Sequence, residues 1–166
     1  MKPWYLDKIY LRSNGTKPFD WIVQDKCGAS WFPERDEFEF FKSAGIDVIF
    51  NCSEFDYADE VPNGFDYHFI NIPDFGIPKH AQVEKFLKLA KEYFYKDRKI
   101  VIHCIAGCGR TGVMATIWAS YFGFIPEGED PVQWIRKRRA CSLESSLQVR
   151  FAREMGKKYK DKGLYE

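Results

Sequence analysis

Residues 99–112 read KIVIHCIAGCGRTG, and this stretch decides the fold. Its first five residues form a short, β-branched run that is typical of a central strand covered on both faces of a sheet. After Gly109 the chain is apolar almost all round, which predicts a helix buried against that sheet. A strand therefore runs through a glycine-containing turn directly into a helix.

Helices and strands alternate on both sides of this stretch. The patterns predict helices at about 34–44, 79–96, 131–139 and 145–159 and further strands at 47–50 and 67–72. This order predicts an α/β fold, a central, mainly parallel, twisted sheet flanked by helices. No repeat, low-complexity tract or Gly/Ser linker divides the chain, so we expect one domain over residues 1–166.

The composition is typical of a folded globular protein. The chain has 166 residues, of which 45% are hydrophobic and 17% aromatic, so a packed core is expected rather than disorder. Lys and Arg number 25 against 24 Asp and Glu, which predicts no general attraction to nucleic acid or to an anionic membrane. No apolar run approaches the length of a bilayer span. We expect a soluble, cytoplasmic monomer.

The cysteines indicate neither a disulfide framework nor a zinc site, because they are odd in number, widely spaced and without a C-x-x-C pair. They are Cys27, Cys52, Cys104, Cys108 and Cys141. Free thiols in a reducing compartment are expected, with no metal and no cofactor.

The turn after the predicted central strand is suited to bind a phosphate group. Successive backbone N–H groups in such a turn can point inward as an anion nest, and the helix N-terminus adds partial positive charge. Arg110 offers a planar fork for two phosphate oxygens. The expected phosphate-binding residues are Ile105, Ala106, Gly107, Cys108, Gly109 and Arg110.

Cys104 is the predicted nucleophile. The same positive surroundings favour its thiolate over its thiol, so no metal is needed to activate it. Thr111 can donate its hydroxyl hydrogen to the sulfur, and His103 is expected to order the loop by hydrogen bonding. Two other interpretations compete: a buried Cys with a surface Arg in a chance C-x5-R, and a Walker loop. The Walker loop is rejected because it requires Gly-Lys-Ser/Thr after a longer glycine spacing.

A carboxylic acid near the loop is needed to protonate the leaving oxygen. Asp74 is the candidate, because it lies in a proline- and glycine-punctuated loop, 72–78, that could close over the pocket. The alternative is an Asp that only caps a turn.

These residues together resemble the protein tyrosine phosphatase superfamily, and by size and spacing its small dual-specificity branch. The resemblance covers most of the chain, with residues 103–112 as its strongest part and Pro73-Asp74 as the acid loop. Segment 144–148 resembles the helix start that carries a water-positioning Gln, here Gln148. The family usually has Arg-Pro-Gly before that helix, whereas this chain has Arg-Ala-Cys at 139–141.

The resemblance implies a two-step reaction on a phosphorylated protein or peptide. Cys104 takes the phosphoryl group while Asp74 protonates the leaving oxygen, and Asp74 then deprotonates a water that Gln148 orients. In related phosphatases a cysteine placed like Cys52 can form a disulfide with the nucleophile, and Cys108 is a rival partner.

The sequence leaves several substrate classes as alternatives. Ile105, Ala106 and Cys108 replace the extra Lys or Arg that phosphoinositide phosphatases tend to place in the loop, which argues against an inositol lipid. An RNA 5'-triphosphate, and a phosphate-binding scaffold without catalysis, are further alternatives. The basic run 136–139 is either a solvated helix end or a rim that attracts phosphorylated substrates.

Overall fold

The predicted central strand lies in the middle of a five-stranded sheet in the computed structural model. The structure describes residues 4–165, so residues 1–3 and 166 of the predicted domain lie outside the described residues. The strands are Phe19–Val23 (β1), Cys27–Ser30 (β2), Ile46–Asn51 (β3), Asp66–Phe69 (β4) and Lys99–His103 (β5).

The sheet order is β1-β2-β5-β3-β4, and only the pairing of β1 with β2 is antiparallel. The prediction of a mainly parallel sheet is therefore confirmed. In the β3–β5 pair, Asn51 lies opposite His103, which brings Cys52 and Cys104 to the same edge of the sheet. The carboxyl ends of parallel strands meet at that edge, where α/β proteins bind their ligands.

Six α-helices accompany these strands within residues 4–165. They are Trp4–Ser13 (α1), Arg35–Ser43 (α2), His80–Tyr95 (α3), Gly109–Tyr121 (α4), Pro131–Arg138 (α5) and Ser146–Lys158 (α6), with 3-10 turns at Ala58–Glu60 and Lys162–Leu164. Five of the helices match the predicted positions to within a few residues. The sequence did not predict α1, β1 or β2. Strand β2 consists of small residues with weak strand propensity, and its place is fixed by the strands that pair with it on either side.

Helix α4 is the centre of the packing. From Gly109 to Ser120 every residue of it is buried, as its apolar sequence predicts. It packs against the sheet on one side and against α5 and α6 on the other. A smaller cluster around Phe41 and Ile49 covers the opposite face of the sheet together with α2. Because both faces are covered, β5 can be apolar and buried from Ile100 to Ile102.

The expectation of five free thiols is wrong for two of them. Cys108 and Cys141 form a disulfide, with their Cα atoms 5.2 Å apart, although 33 residues separate them in the sequence. Cys108 is therefore not available as a rival partner for the nucleophile in this state. Cys27, Cys52 and Cys104 are free and buried. Sequence spacing could not reveal the pair, because only the packing of the 139–143 segment against the turn after β5 brings the two thiols together.

Across residues 4–165, none of the helices combines the length and the apolar character that crossing a bilayer requires.

Candidate active site

The turn after β5 and the first two residues of α4, together residues 104–110, are called the phosphate loop below. Three consecutive carbonyl oxygens of this loop accept hydrogen bonds from outside it. The backbone N–H of Phe32 donates to Ile105 at 2.9 Å, and the guanidinium of Arg139 donates to Ala106 at 3.0 Å and to Gly107 at 2.6 Å. With these carbonyls held outward, the backbone N–H groups of the loop are left to line its concave side, as in an anion nest.

Gly107 is required by this loop geometry. Its φ is +73°, and a Cβ at this position would collide with the carbonyl group of Ser30. A side chain here would therefore push the loop away from β2. The glycine that the sequence motif places at 107 is explained by this close approach.

Cys104 lies at the base of the phosphate loop and is 2% exposed. Its Sγ accepts a hydrogen bond from the hydroxyl of Thr111, at 3.1 Å, from the first turn of α4. Two of the predicted site residues are thus in direct contact. A hydroxyl donor and the N-terminal end of a helix both stabilise a sulfur anion.

His103 connects the phosphate loop to the core. Its Nδ1 lies 3.1 Å from the carbonyl oxygen of Cys104, and its Nε2 lies 2.7 Å from the hydroxyl of Tyr57. Because a carbonyl only accepts, Nδ1 carries the hydrogen and Nε2 accepts from Tyr57. Complete burial lowers the pKa of His103 to about 3, so the ring is neutral at physiological pH. These contacts fit the predicted ordering role rather than acid–base chemistry.

Arg110 is 2% exposed, and its guanidinium has three partners around the mouth of the loop. Nη1 donates to the carbonyl of Ile72 at 2.9 Å and pairs with Glu54 at 3.2 Å, while Nη2 lies 3.3 Å from Asp74 Oδ1. Burial by itself lowers the pKa of Arg110, but Cys104, Glu54 and Asp74 raise it above its ordinary value. The structure thus brings Asp74 and Arg110 to one site.

Gln148 is fully buried between the phosphate loop and the acid loop 72–78. Its Oε1 accepts from the backbone N–H groups of Glu144 and Ser145, at 2.8 and 3.3 Å, and its Nε2 donates to the carbonyl of Gly76 at 3.1 Å. In this arrangement the side chain fastens the acid loop to the start of α6. Water positioning by Gln148 stays a prediction, and it would require these contacts to change.

Cys52 lies beside the nucleophile, since its backbone N–H donates to the carbonyl of His103 at 2.7 Å. Complete burial raises the pKa of its thiol, and the charge of Cys104 adds to this effect. Cys52 is therefore a neutral thiol, and a disulfide with Cys104 stays a prediction.

The sequence did not identify three charged residues that shape the site: Glu54, Arg139 and Glu144. Arg139 is 2% exposed and pairs with Asp20 at 2.9 Å in addition to its two loop carbonyls. The sequence placed Arg139 in the basic run 136–139, interpreted as a helix end or a substrate-attracting rim, and did not predict its contact with the phosphate loop. Glu144 Oε1 accepts the backbone N–H of Gly109 at 2.9 Å.

The rest of the basic run behaves as a helix end. Arg136 donates to the carbonyls of Ser142 and Leu143, and Arg138 lies over the ring of Trp134 at 3.7 Å. Lys137 pairs with Glu129. These contacts favour the solvated helix end over the substrate-attracting rim.

A family model described as "Polymorphic toxin system, DSP-PTPase phosphatase" matches residues 27–123, which include β2 to β5, the acid loop, the phosphate loop and α4. The chain belongs to this phosphatase family. The matched part of the chain carries Cys104, Arg110 and Asp74.

Two relatives are similar to this chain in sequence over more than half of its length. A "probable protein tyrosine phosphatase type IVA B" of Dictyostelium discoideum is 28% identical over 120 residues, 68% of this chain and 69% of that protein. An uncharacterized protein of Methanocaldococcus jannaschii is 28% identical over 104 residues, and the match spans 62% of this chain and 60% of that relative.

Two solved phosphatase structures share the fold. Tk-PTP in its active form has a TM-score of 0.69 at 21% identity, and the match covers 84% of this chain and 97% of that one. PTPMT1 in complex with PI(5)P has a TM-score of 0.71 at 15% identity, covering 86% of this chain and 97% of that one. At these identities the likeness concerns the α/β fold, which confirms the predicted fold class.

Proposed function

We propose that this chain hydrolyses phosphotyrosine in proteins, with phosphoserine and phosphothreonine as further candidates, through a cysteinyl-phosphate intermediate. The observation that carries the proposal is the phosphate loop itself. Its carbonyls are fixed outward, the Cys104 sulfur accepts the Thr111 hydroxyl, and Arg110 lies at its mouth. A tetrahedral dianion fits such a ring of donors around a sulfur nucleophile.

The proposed reaction has two displacements at phosphorus. Cys104 Sγ forms an S–P bond as the ester P–O bond breaks, and Asp74 gives its proton to the leaving oxygen. Asp74 then takes a proton from a water whose oxygen attacks phosphorus, and the S–P bond breaks to release phosphate. Arg110 and the loop amides stabilise the charge that spreads over the phosphoryl oxygens in both steps. Thr111 stabilises the departing thiolate.

The charges around the mouth favour a substrate with one phosphate group. Within residues 105–110 the only cationic side chain is that of Arg110, and two carboxylates, Glu54 and Asp74, already pair with it. A third carboxylate, Glu144, binds the Gly109 amide. Asp74 carries a proton in the first step, but an inositol lipid or a triphosphate end would still bring further negative charge against Glu54 and Glu144. The side chain of Phe75, 56% exposed beside Asp74, offers apolar surface to a neighbouring aromatic ring.

The test is turnover of p-nitrophenyl phosphate without added metal. The unaltered protein is expected to release p-nitrophenol, and Cys104→Ser is expected to abolish the release. Cys27→Ala, another buried thiol of the sheet, is the matched control and should retain activity. Equal activity in Cys104→Ser and the unaltered protein would contradict the assignment of the nucleophile. Absence of turnover on every substrate, with intact folding and phosphate binding, would favour a scaffold.

The substrate class is tested separately by comparing kcat/KM on four substrates. These are a phosphotyrosine peptide, a phosphoserine or phosphothreonine peptide, a phosphoinositide and a 5'-triphosphorylated RNA. The phosphotyrosine peptide is expected to be hydrolysed best. The likeness to PTPMT1, solved in complex with PI(5)P, makes the phosphoinositide the main alternative to a phosphorylated protein as substrate. A higher kcat/KM on the lipid would overturn the protein-substrate proposal and leave the phosphatase assignment in place.

A further inference from the structure

Glu144 occupies a place where a phosphate oxygen is expected to bind. Its Oε1 lies 2.9 Å from the backbone nitrogen of Gly109, the last residue before Arg110 in the phosphate loop. The approach is close, because a Cβ built on Gly109 would lie 2.6 Å from the same oxygen. The backbone N–H of Glu144 is itself held by Gln148 at 2.8 Å. The carboxylate is thus positioned by the fold rather than left in solvent.

The neighbouring amides of the phosphate loop show why this contact matters. Within the described part of the chain, the backbone N–H groups of residues 105–108 have no protein acceptor, whereas that of Gly109 has Glu144. A carboxylate oxygen and a phosphate oxygen accept an amide hydrogen in the same way, and both are favoured at a helix N-terminus. Among residues 105–109, Gly109 is therefore the one whose amide already has an acceptor. Its hydrogen bond to Glu144 must break before a phosphate oxygen can accept the same N–H.

The charges near Glu144 act in opposite directions. Burial raises the pKa of its carboxyl, the Gly109 amide and Arg110 lower it, and Asp74 adds to the increase. A phosphate dianion on the same amide would bring two further negative charges to this carboxylate. Like charges a few ångströms apart in a partly buried site repel strongly.

We propose that Glu144 is an internal competitor for the phosphate group, whose carboxylate must leave the Gly109 amide before a phosphate dianion can occupy the whole loop. The proposal rests on the proposed function of the loop as a phosphate site. Glu144 is then a specificity-determining residue. It weakens the binding of free phosphate and similar small anions, and it favours substrates whose remaining parts make additional contacts around the mouth.

The test is direct binding of inorganic phosphate and of sulfate to the intact protein by titration calorimetry, which does not depend on turnover. Glu144→Gln keeps the size and the acceptor oxygen of the side chain and removes its charge. We expect its dissociation constants for both anions to be lower by about tenfold. Glu144→Ala, which removes the competitor altogether, should also bind them more tightly. Glu154→Gln removes the same charge from an exposed position on α6 and should leave both dissociation constants unchanged.

Three outcomes would overturn the proposal. Glu144→Gln could bind both anions no more tightly than the unaltered protein, Glu154→Gln could tighten binding equally, or Glu144→Ala could weaken binding because the side chain only supports the loop. In each case the loop still binds phosphate, and the proposed function survives. No anion binding by any variant, together with no turnover by the unaltered protein, would overturn the proposed function and this inference with it.

Discussion

The phosphate loop and the acid loop face the same site but are built in opposite ways. The carbonyls of the phosphate loop are bound from outside by Phe32 and Arg139, and its sulfur and guanidinium are almost completely buried. In the acid loop the side chain of Asp74 is 57% exposed, and Phe75 is 56% exposed at a φ of +58°.

The difference teaches which parts of the reaction need rigid geometry. Stabilising a spread negative charge requires donors that are oriented before the substrate arrives, and the phosphate loop meets this requirement through its buried anchors. A proton donor must approach the leaving oxygen only after the substrate has entered, and an exposed loop permits that movement. Two hydrogen bonds connect the acid loop to the start of α6: the hydroxyl of its N-cap residue Ser145 donates to the carbonyl of Phe75 at 3.0 Å, and Gln148 Nε2 donates to the carbonyl of Gly76 at 3.1 Å.

After loss of the nucleophile itself, the largest effect is expected from Asp74→Asn, which separates chemistry from stability. Removing the proton donor should lower kcat on phenyl phosphate by about 10²–10⁴-fold. The loss should be smaller on p-nitrophenyl phosphate, whose leaving group needs less protonation. The melting temperature should change little, because the Asp74 side chain is 57% exposed and Arg110 keeps Glu54 and the Ile72 carbonyl as partners. The exposed Asp59→Asn is the matched control, and equal losses on both substrates would show that Asp74 is not the acid.

A smaller loss of activity is expected from Arg139→Met, which removes two hydrogen-bond donors to carbonyls of the phosphate loop. Because Asp20 is left as a partly buried carboxylate without its partner, the free energy of unfolding should fall by about 3–5 kcal/mol. Activity should fall as well, since Ala106 and Gly107 lose their donors. Chemical denaturation and a p-nitrophenyl phosphate assay measure the two losses.

A double variant distinguishes the two roles of Arg139. Asp20→Asn combined with Arg139→Met relieves the uncompensated charge and should recover part of the stability. It should not recover activity, because the loop carbonyls still lack their donor. Full recovery of activity in the double variant would contradict the role of Arg139 as a positioning residue.

The smallest effect is expected from Cys141→Ser, which opens the disulfide to Cys108. Closing a segment with a sequence separation of 33 residues restricts the unfolded chain, so its loss should lower the free energy of unfolding by about 2–4 kcal/mol. Activity should largely remain, because the carbonyl of Cys108 still accepts the N–H of Leu143 at 3.1 Å. Dithiothreitol should lower the stability of the unaltered protein and leave Cys141→Ser unchanged. An equal effect on both would exclude the disulfide as its cause.

Local sequence patterns predicted most of the helices and strands. The β-branched run of β5 and the apolar α4 predict a buried strand and helix, and the Asp130-Pro131 start of α5 is observed, with the Asp130 side chain accepting the N–H of Val132. The small residues of β2 gave no such signal, since their strand conformation depends on the neighbouring strands. The predicted strand 67–72 is observed only as Asp66–Phe69, because β4 pairs with β3 only as far as Asn51.

By itself, the sequence determined the strand, the turn and the helix that place Cys104, Arg110 and Thr111 together, because these residues lie within eight positions and their geometry follows from local backbone structure. Only the tertiary structure decided what surrounds them. Three charged residues, Glu54, Arg139 and Glu144, and the disulfide-bonded sulfur of Cys141 come from distant parts of the chain. No periodicity or spacing in the sequence indicates them. These groups contact the phosphate loop because the carboxyl ends of the parallel strands and the starts of α4 and α6 converge at one edge of the sheet.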